Sequence, residues 1–134
     1  MIVEIQYQRS KQRIYAMDEN YNEVASWECR YAFYAGYNEN GERRESLPLG
    51  TYHHVYAEIT DEYGPSYGSF YITTGDPRGR DIHGGGSGLA DPFALRQGWV
   101  PTYGCLRMQN EDGIELAAMI IASGNDVTLT VVEK

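Results

Sequence analysis

Two side chains in the second half of the chain have the chemistry of an acyl-transfer site. Cys105 follows Gly104 in a turn of small residues, and His83 ends an apolar dipeptide well upstream of it. A thiol is a good nucleophile only as the thiolate, and a nearby imidazole can accept the proton that the thiol must lose. These residue types therefore indicate Cys–His acyl transfer, provided that the fold brings the two together.

The elements that must position this pair are mostly strands. Twelve Tyr, fifteen Gly and many β-branched residues favour strands and turns over a helical bundle. Alternation and turn residues predict strands at 2–8, 12–17, 23–30, 68–73, 80–83 and 127–132, and a run at 47–52 that enters a strand through 55–59. The first three strands are expected to form an antiparallel meander.

One helix is predicted over residues 111–123, directly behind the thiol. Asn110 or Asp112 is expected to cap it, and Gly124 with Asn125 gives a C-terminal stop. Its positive N-terminal end would then lie near Cys105 and favour the thiolate. The Gly-rich segment 84–101 is predicted to be an irregular lid or cleft wall, because long loops in compact domains usually carry function.

The residues around the thiol resemble the signature of a known family. His83-Gly84, a variable loop and then Thr102-x-Gly104-Cys105-Leu106-Arg107-Met108, with Asn110 and Asp112, are similar to the L,D-transpeptidase catalytic domain of the YkuD type. The run Leu47-Pro48-Leu49-Gly50-Thr51-Tyr52 is similar to the Thr-Pro-x-Gly-x-Tyr/Phe element of the same family. Tyr103 stands where that family most often has His, and the interval from His83 to Cys105 is a few residues longer than its common spacing.

The resemblance implies a fold and a set of residue roles. The fold would be mainly β, a capped sandwich or barrel with one helix after the catalytic cysteine, in a single domain spanning residues 1–134. Cys105 would be the nucleophile and His83 its base. Backbone N–H groups of Tyr103, Gly104 and Cys105 would line an oxyanion hole. Apart from the resemblance, a phenol is a poor base at neutral pH, so the Tyr103 side chain is expected to act as an apolar wall. The residues expected to support the site or bind substrate are Arg107, Thr102 and Gly84, with Arg107 either binding a substrate carboxylate or bracing the loop.

The resemblance also implies a reaction. Cys105 would attack the carbonyl of an L-to-D peptide bond in a peptidoglycan stem, release a terminal D-amino acid and form a thioester. An amine acceptor then gives transpeptidation or D-amino-acid exchange, and water gives L,D-carboxypeptidation, in each case without a cofactor. The alternative is a catalytically silent peptidoglycan-binding module of the same fold.

Charge and composition indicate which kinds of ligand the protein could bind. A net charge of −8 and only two lysines argue against a nucleic-acid surface. Four arginines nevertheless fall between residues 76 and 110, so a carboxylate-bearing substrate is plausible there. Cys29 is expected to be a small buried apolar residue. His53 and His54 are adjacent in a predicted strand and point to opposite faces, so no metal site is expected.

The first residues of the chain carry no basic segment followed by a long apolar one, and no apolar run is long enough to span a membrane. A periplasmic or cell-wall substrate would therefore require either a trimmed leader or a route such as the type VI secretion system. An effector of that system would also have an immunity protein as a partner.

Two shorter motifs resemble those of serine esterases. Residues 64–68 fit G-x-S-x-G, and residues 83–86 fit HGGG. The serine motif must join a strand to a helix, whereas residues 69–73 are strand-like, and the HGGG run should precede the serine. The context therefore argues against an esterase.

Overall fold

Nine strands in two sheets and one α-helix make up the chain. The structure is a computed structural model that describes residues 1–134. A short 3₁₀ turn at Arg9–Lys11 follows the first strand. The elements are β1 (Ile2–Gln8), β2 (Arg13–Asp18), β3 (Glu23–Glu28), β4 (Gly50–Tyr52), β5 (Tyr56–Glu58), β6 (Tyr71–Thr73), β7 (Ile82–His83), β8 (Leu106–Arg107), α1 (Asn110–Ala122) and β9 (Thr128–Val132).

The first sheet has the strand order β3-β2-β1-β9-β4. Its first three strands pair antiparallel, which confirms the predicted meander. Strand β9 pairs parallel with β1, with Ile5 opposite Leu129 and Tyr7 opposite Val131, and all four side chains are buried. The last strand therefore lies inside the sheet, next to the first.

The second sheet has the order β5-β6-β7-β8, with β7 and β8 parallel. The run that was expected to lead into a single strand at 55–59 instead forms two strands in different sheets. Tyr52 pairs with Leu129 of the first sheet, whereas Tyr56 pairs with Thr73 of the second. The change of partner explains the break, and it places His53 and His54 in the connection between strands, not in a strand as predicted.

Helix α1 packs on the second sheet, and its cap differs from the prediction. The N-cap residue is Gln109, and its side chain makes no capping hydrogen bond. Instead, Oε1 of Gln97 accepts a hydrogen bond from the first helical N–H, that of Asn110, at 2.8 Å. The C-terminal stop is confirmed, because Gly124 and Asn125 both have positive φ.

The contact between α1 and the second sheet depends on Gly113. A methyl group at this buried position would overlap the ring of Phe70. We therefore expect Gly113→Ala to lower the free energy of unfolding by about 1–3 kcal/mol through overpacking, although alanine is the better helix former by about 1 kcal/mol. Urea denaturation would measure this, with the exposed Ala118 replaced by Ser as a control of little effect; a stabilised Gly113→Ala variant would contradict the packing described.

The second cysteine, Cys29, belongs to the hydrophobic core. Cys29 is completely buried with a free thiol, as predicted, and its carbonyl accepts a hydrogen bond from the Tyr7 hydroxyl at 2.8 Å. None of the helices has the length and apolar character that a membrane crossing needs.

Candidate active site

A two-residue parallel ladder brings the thiol and the imidazole together. Strands β7 and β8 pair Ile82 with Leu106 and His83 with Arg107. Alternate residues of a strand point to opposite faces. Ile82 and Leu106 therefore enter the core, where both are fully buried. Cys105 and His83 share the opposite face, and both line one cleft.

That cleft has a volume of about 340 Å³. Its lining residues come from five separate stretches of the chain: Tyr34, Ser66, Tyr67, Arg78, Gly79, Arg80, His83, Ser87, Val100, Pro101, Thr102, Tyr103, Cys105 and Arg107. The Cys105 thiol accepts a hydrogen bond from the Asp81 N–H at 3.3 Å and donates to the Gly79 carbonyl at 3.8 Å. No hydrogen bond joins Cys105 directly to His83 in this state.

His83 is held in the tautomer that a general base needs. Its Nδ1 lies 2.9 Å from the Gly84 carbonyl oxygen, which can only accept, so the ring proton is on Nδ1 and Nε2 keeps its lone pair. The ring packs between two tyrosines, edge-on to Tyr67 and parallel to Tyr71. Burial, with the nearby charge of Arg107, lowers the pKa of His83 to about 4, so the imidazole is neutral near pH 7.

The lowered pKa of His83 has a consequence for stability. The unfolded chain's histidine titrates near its usual 6.5, so between pH 6.5 and about 4 the unfolded state binds more protons. The contribution of the neutral imidazole to stability should therefore be fully present above pH 6.5. The free energy of unfolding should fall by about 3 kcal/mol as the pH drops from 6.5 to about 4. Urea titrations at pH 7 and 4 on wild type and His83→Asn would measure it; equal losses in the two proteins would contradict the buried neutral imidazole.

The thiol is protonated at rest, in contrast to the expected helix effect. Burial and the carboxylates of Asp81 and Asp76 raise the pKa of Cys105 to about 11, although the Asp81 N–H and Arg107 act in the opposite direction. Strand β8 stands between Cys105 and α1, so the thiol does not lie on the helix's first turn. Cys105 and His83 are thus a neutral thiol and a neutral imidazole near pH 7, so an attack by this thiol would require its proton to move.

The turn before the thiol differs from the expected oxyanion hole at one position. The Thr102 hydroxyl donates to the Cys105 carbonyl at 2.7 Å and accepts from the Gly104 N–H at 3.0 Å. The Gly104 N–H is therefore occupied. The N–H groups of Tyr103 and Cys105 make no hydrogen bond within the protein, so they are the two members of the expected oxyanion hole that remain unpaired.

Glycine is required at position 104 for a reason that the sequence did not show. Its φ is +132°, and a Cβ atom there would lie 2.6 Å from the Glu45 carbonyl oxygen and 2.9 Å from Cδ of Arg80. The close approach is thus to the Glu45 backbone and the Arg80 side chain, so a larger residue at position 104 would have to displace one or both.

Arg107 braces the loops around the cleft. Its buried guanidinium donates to four backbone carbonyls, those of Gly84 at 3.3 Å, Val100 at 2.6 Å, Pro101 at 3.1 Å and Ser66 at 3.0 Å. Of the two roles considered for Arg107, these contacts favour bracing over substrate binding. The Gly84 carbonyl accepts from both Arg107 and His83, and so ties the brace to the imidazole.

Segment 84–101 is anchored as a wall. Nδ2 of Asn110 donates to the carbonyls of Pro92 at 2.9 Å and Ala94 at 2.8 Å, and Nε2 of Gln97 donates to the Met108 carbonyl at 3.1 Å. The side chain expected to cap the helix thus fixes the loop instead. These bonds favour a cleft wall over a mobile lid.

Tyr103 forms the outer rim of the cleft. Its exposed ring lies 5.2 Å from that of Tyr34 and under the guanidinium of Arg44, which is 4.8 Å from the ring centre. The hydroxyl has no hydrogen-bond partner. The exposed ring is thus available as an apolar surface at the rim, and the role of the Tyr103 backbone stays a prediction.

Sequence reasoning missed two residues beside Cys105 and His83, namely Tyr71 and Asp81. The Tyr71 hydroxyl donates to Asp81 at 2.7 Å, and the other Asp81 oxygen accepts from the N–H and hydroxyl of Thr74. Asp81 in turn holds the thiol through its backbone N–H. Asp81 could have been found from the sequence, because it lies two residues before His83 in a predicted strand and so points to the same face. Tyr71 could not, because only its strand pairing with His83 places it there.

Solved structures of other proteins share this fold, whereas sequence comparison finds no relative. Neither protein-family models nor curated proteins match the sequence. Among solved structures, Bd1075 of Bdellovibrio bacteriovorus matches 98% of this chain and 48% of its own length, with a TM-score of 0.58 at 12% identity. The L,D-transpeptidase (residues 123–326) of Xylanimonas cellulosilytica matches 98% of this chain and 62% of its own length, with a TM-score of 0.57 at 13% identity. The chain thus spans about half to three fifths of these neighbours. With its two mixed sheets and single helix behind Cys105, the protein has an L,D-transpeptidase-like fold.

Proposed function

We propose that the protein is a cysteine acyl-transfer enzyme that acts on peptidoglycan stem peptides. The observation that carries the proposal is the β7–β8 ladder, which sets the Cys105 thiol and a neutral, tautomer-fixed His83 in one cleft. Two free backbone N–H groups, those of Tyr103 and Cys105, lie in the same turn. The fold shared with an L,D-transpeptidase supports a peptidoglycan substrate.

The proposed first half-reaction forms a thioester. The Cys105 sulfur attacks the carbonyl carbon of an L-to-D peptide bond while its proton passes to Nε2 of His83. The carbonyl oxygen becomes an oxyanion that accepts from the N–H groups of Tyr103 and Cys105; such donors typically contribute 10²–10³-fold in rate each. The C–N bond then breaks, and the imidazolium returns its proton to the leaving amine.

The second half-reaction releases the enzyme. His83 removes a proton from an amine acceptor or from water, which attacks the thioester carbon, and the sulfur leaves with that proton. An amine gives transpeptidation or D-amino-acid exchange, and water gives carboxypeptidation. In both halves Arg107 and Gly84 orient His83, and Thr102 fixes the turn that carries the thiol.

Mass spectrometry of a purified tetrapeptide stem after incubation with the protein tests the proposal. We expect loss of the terminal D-amino acid, and its exchange when another D-amino acid is added in excess. An unchanged stem peptide would contradict the proposal.

A second candidate is a catalytically silent peptidoglycan-binding module. The observation that favours it is the resting thiol, which donates to the Gly79 carbonyl and not to His83. Catalytic hydrogen bonds often form only when substrate binds, so this geometry does not exclude turnover. Binding of the stem without any change in its mass would identify the silent module.

A peptidoglycan substrate places the proposed activity in the periplasm or cell wall. Fractionation of cells that produce the protein, followed by detection with an antibody, tests this location. Finding the whole population in the cytosol would contradict a trimmed leader and would require delivery to another cell, as by the type VI secretion system.

A further inference from the structure

The charge of the cleft is opposite to that of the chain. The protein has a net charge of −8, yet three arginines and no aspartate or glutamate line the cleft around Cys105. His83 is neutral near pH 7, as described above. The charged side chains that line the cleft are thus Arg78, Arg80 and Arg107, while the carboxylates of Asp76 and Asp81 act on Cys105 from behind the lining. An arginine that is not neutralised by such a carboxylate would favour a ligand that carries an anionic group.

Two of these arginines are already occupied. Arg107 donates to the four backbone carbonyls described above. Arg80 forms a buried bidentate ion pair with Asp76, through Nε at 2.8 Å and Nη2 at 3.0 Å, while its Nη1 faces the Glu45 carbonyl at 3.5 Å. Both guanidinium groups hold the protein together and have few donors left for a ligand.

Arg78 is different because most of its donors are unused. Its Nη2 donates to the Arg43 carbonyl at 2.9 Å, and its Nε lies 3.8 Å from the nearer carboxylate oxygen of Glu42, too far for a hydrogen bond. Its Nη1 has no partner, and the side chain is about a quarter exposed. Arg78 directly precedes Gly79, whose carbonyl contacts the Cys105 thiol.

We infer that Arg78 binds the free carboxylate of the residue that leaves the substrate. The inference rests on the proposed function. In a stem peptide cleaved before its last residue, the terminal carboxylate carbon is three bonds from the carbon that the thiol attacks, or roughly 3–4 Å away. The carboxylate must therefore lie beside the thiol, where Arg78 is the arginine with donors to spare. A guanidinium binds such a group through two parallel hydrogen bonds.

Glu42 competes with the substrate for Arg78. This half-exposed carboxylate faces the guanidinium from the neighbouring loop and is itself held by Nδ2 of Asn38 at 2.9 Å. A bound substrate carboxylate has to overcome that attraction. Removing the charge of Glu42 should therefore strengthen the binding of an anionic ligand, whereas removing that of Arg78 should weaken it.

Calorimetric binding in the Cys105→Ala background tests the inference without turnover. The probes are a tetrapeptide stem with a free C-terminal carboxylate and the same peptide with a C-terminal amide. We expect the carboxylate peptide to bind about 10–100-fold more tightly, the range for hydrogen bonds to a charged group. Arg78→Gln should remove that preference, Arg78→Lys should retain part of it, and Glu42→Gln should increase it.

A matched control is Arg96→Gln, because Arg96 lies outside the cleft in an exposed ion pair with Asp112. This variant should keep the full preference. An Arg78→Gln variant that still prefers the carboxylate peptide would overturn the inference, as would equal binding, or no binding, of the two peptides by the parent. If the preference depends on Arg78 but the wild type leaves the stem intact, the proposed function fails and the carboxylate site stands.

Discussion

Replacing Cys105 by alanine should abolish thioester formation while changing the free energy of unfolding by no more than about 1 kcal/mol. The substitution removes the nucleophile but only a half-buried thiol with two weak hydrogen bonds. A carbapenem, which acylates the thiols of L,D-transpeptidases, should add one covalent mass to the wild type and none to Cys105→Ala. Intact-protein mass spectrometry measures both.

The second cysteine provides the control for this experiment. Cys29 is completely buried in the core, and burial raises the pKa of its thiol. Cys29→Ala should therefore still acquire the carbapenem mass. An adduct on Cys105→Ala would place the nucleophile elsewhere, and a wild type without any adduct would favour the silent binding module.

Replacing His83 by alanine should lower kcat/KM by roughly 10²–10⁴, the usual range for loss of a general base. In the wild type, activity should fall as the pH drops toward about 4, where the imidazole gains a proton and can no longer accept one. In His83→Ala, hydroxide must remove the thiol proton, so the rate should rise with pH toward about 11, the pKa of Cys105. The measurement is kcat/KM against pH for both proteins.

His54→Ala is the matched control, because His54 is exposed and lies outside the cleft. It should keep wild-type activity at every pH. A His83→Ala variant as fast as the wild type at pH 7 would show that another group is the base. A flat pH profile for that variant would contradict a thiol that is protonated at rest.

The sequence predicted strands well where alternation is long and local. The prediction of a strand at 2–8 matches β1, and the meander after it is confirmed, because several alternating residues point to one buried face. Strand β8 was missed, since two residues cannot show a period. Its pairing with β7 is a long-range choice of register, and that register is what places Cys105 near His83.

In the candidate site, too, the sequence predicts the local features and not those that depend on tertiary contacts. The residue types at Cys105 and His83 indicate their chemistry without a structure. Which N–H groups remain free does not follow from sequence, because the Thr102 hydroxyl decides it by taking the Gly104 N–H. The raised pKa of Cys105 was also hidden, since burial and the carboxylate of Asp81 depend on tertiary packing.

The position of β9 between β1 and β4 governs the order in which the chain can fold. During synthesis the meander and the segments that carry His83 and Cys105 leave the ribosome before β9, the strand that joins β1 to β4. Until β9 arrives, both of its neighbours present unpaired backbone edges, which are sites of aggregation. Pairing strands so distant in sequence also costs loop-closure entropy before any contact compensates for it, so folding is expected to be slow for a domain of this size.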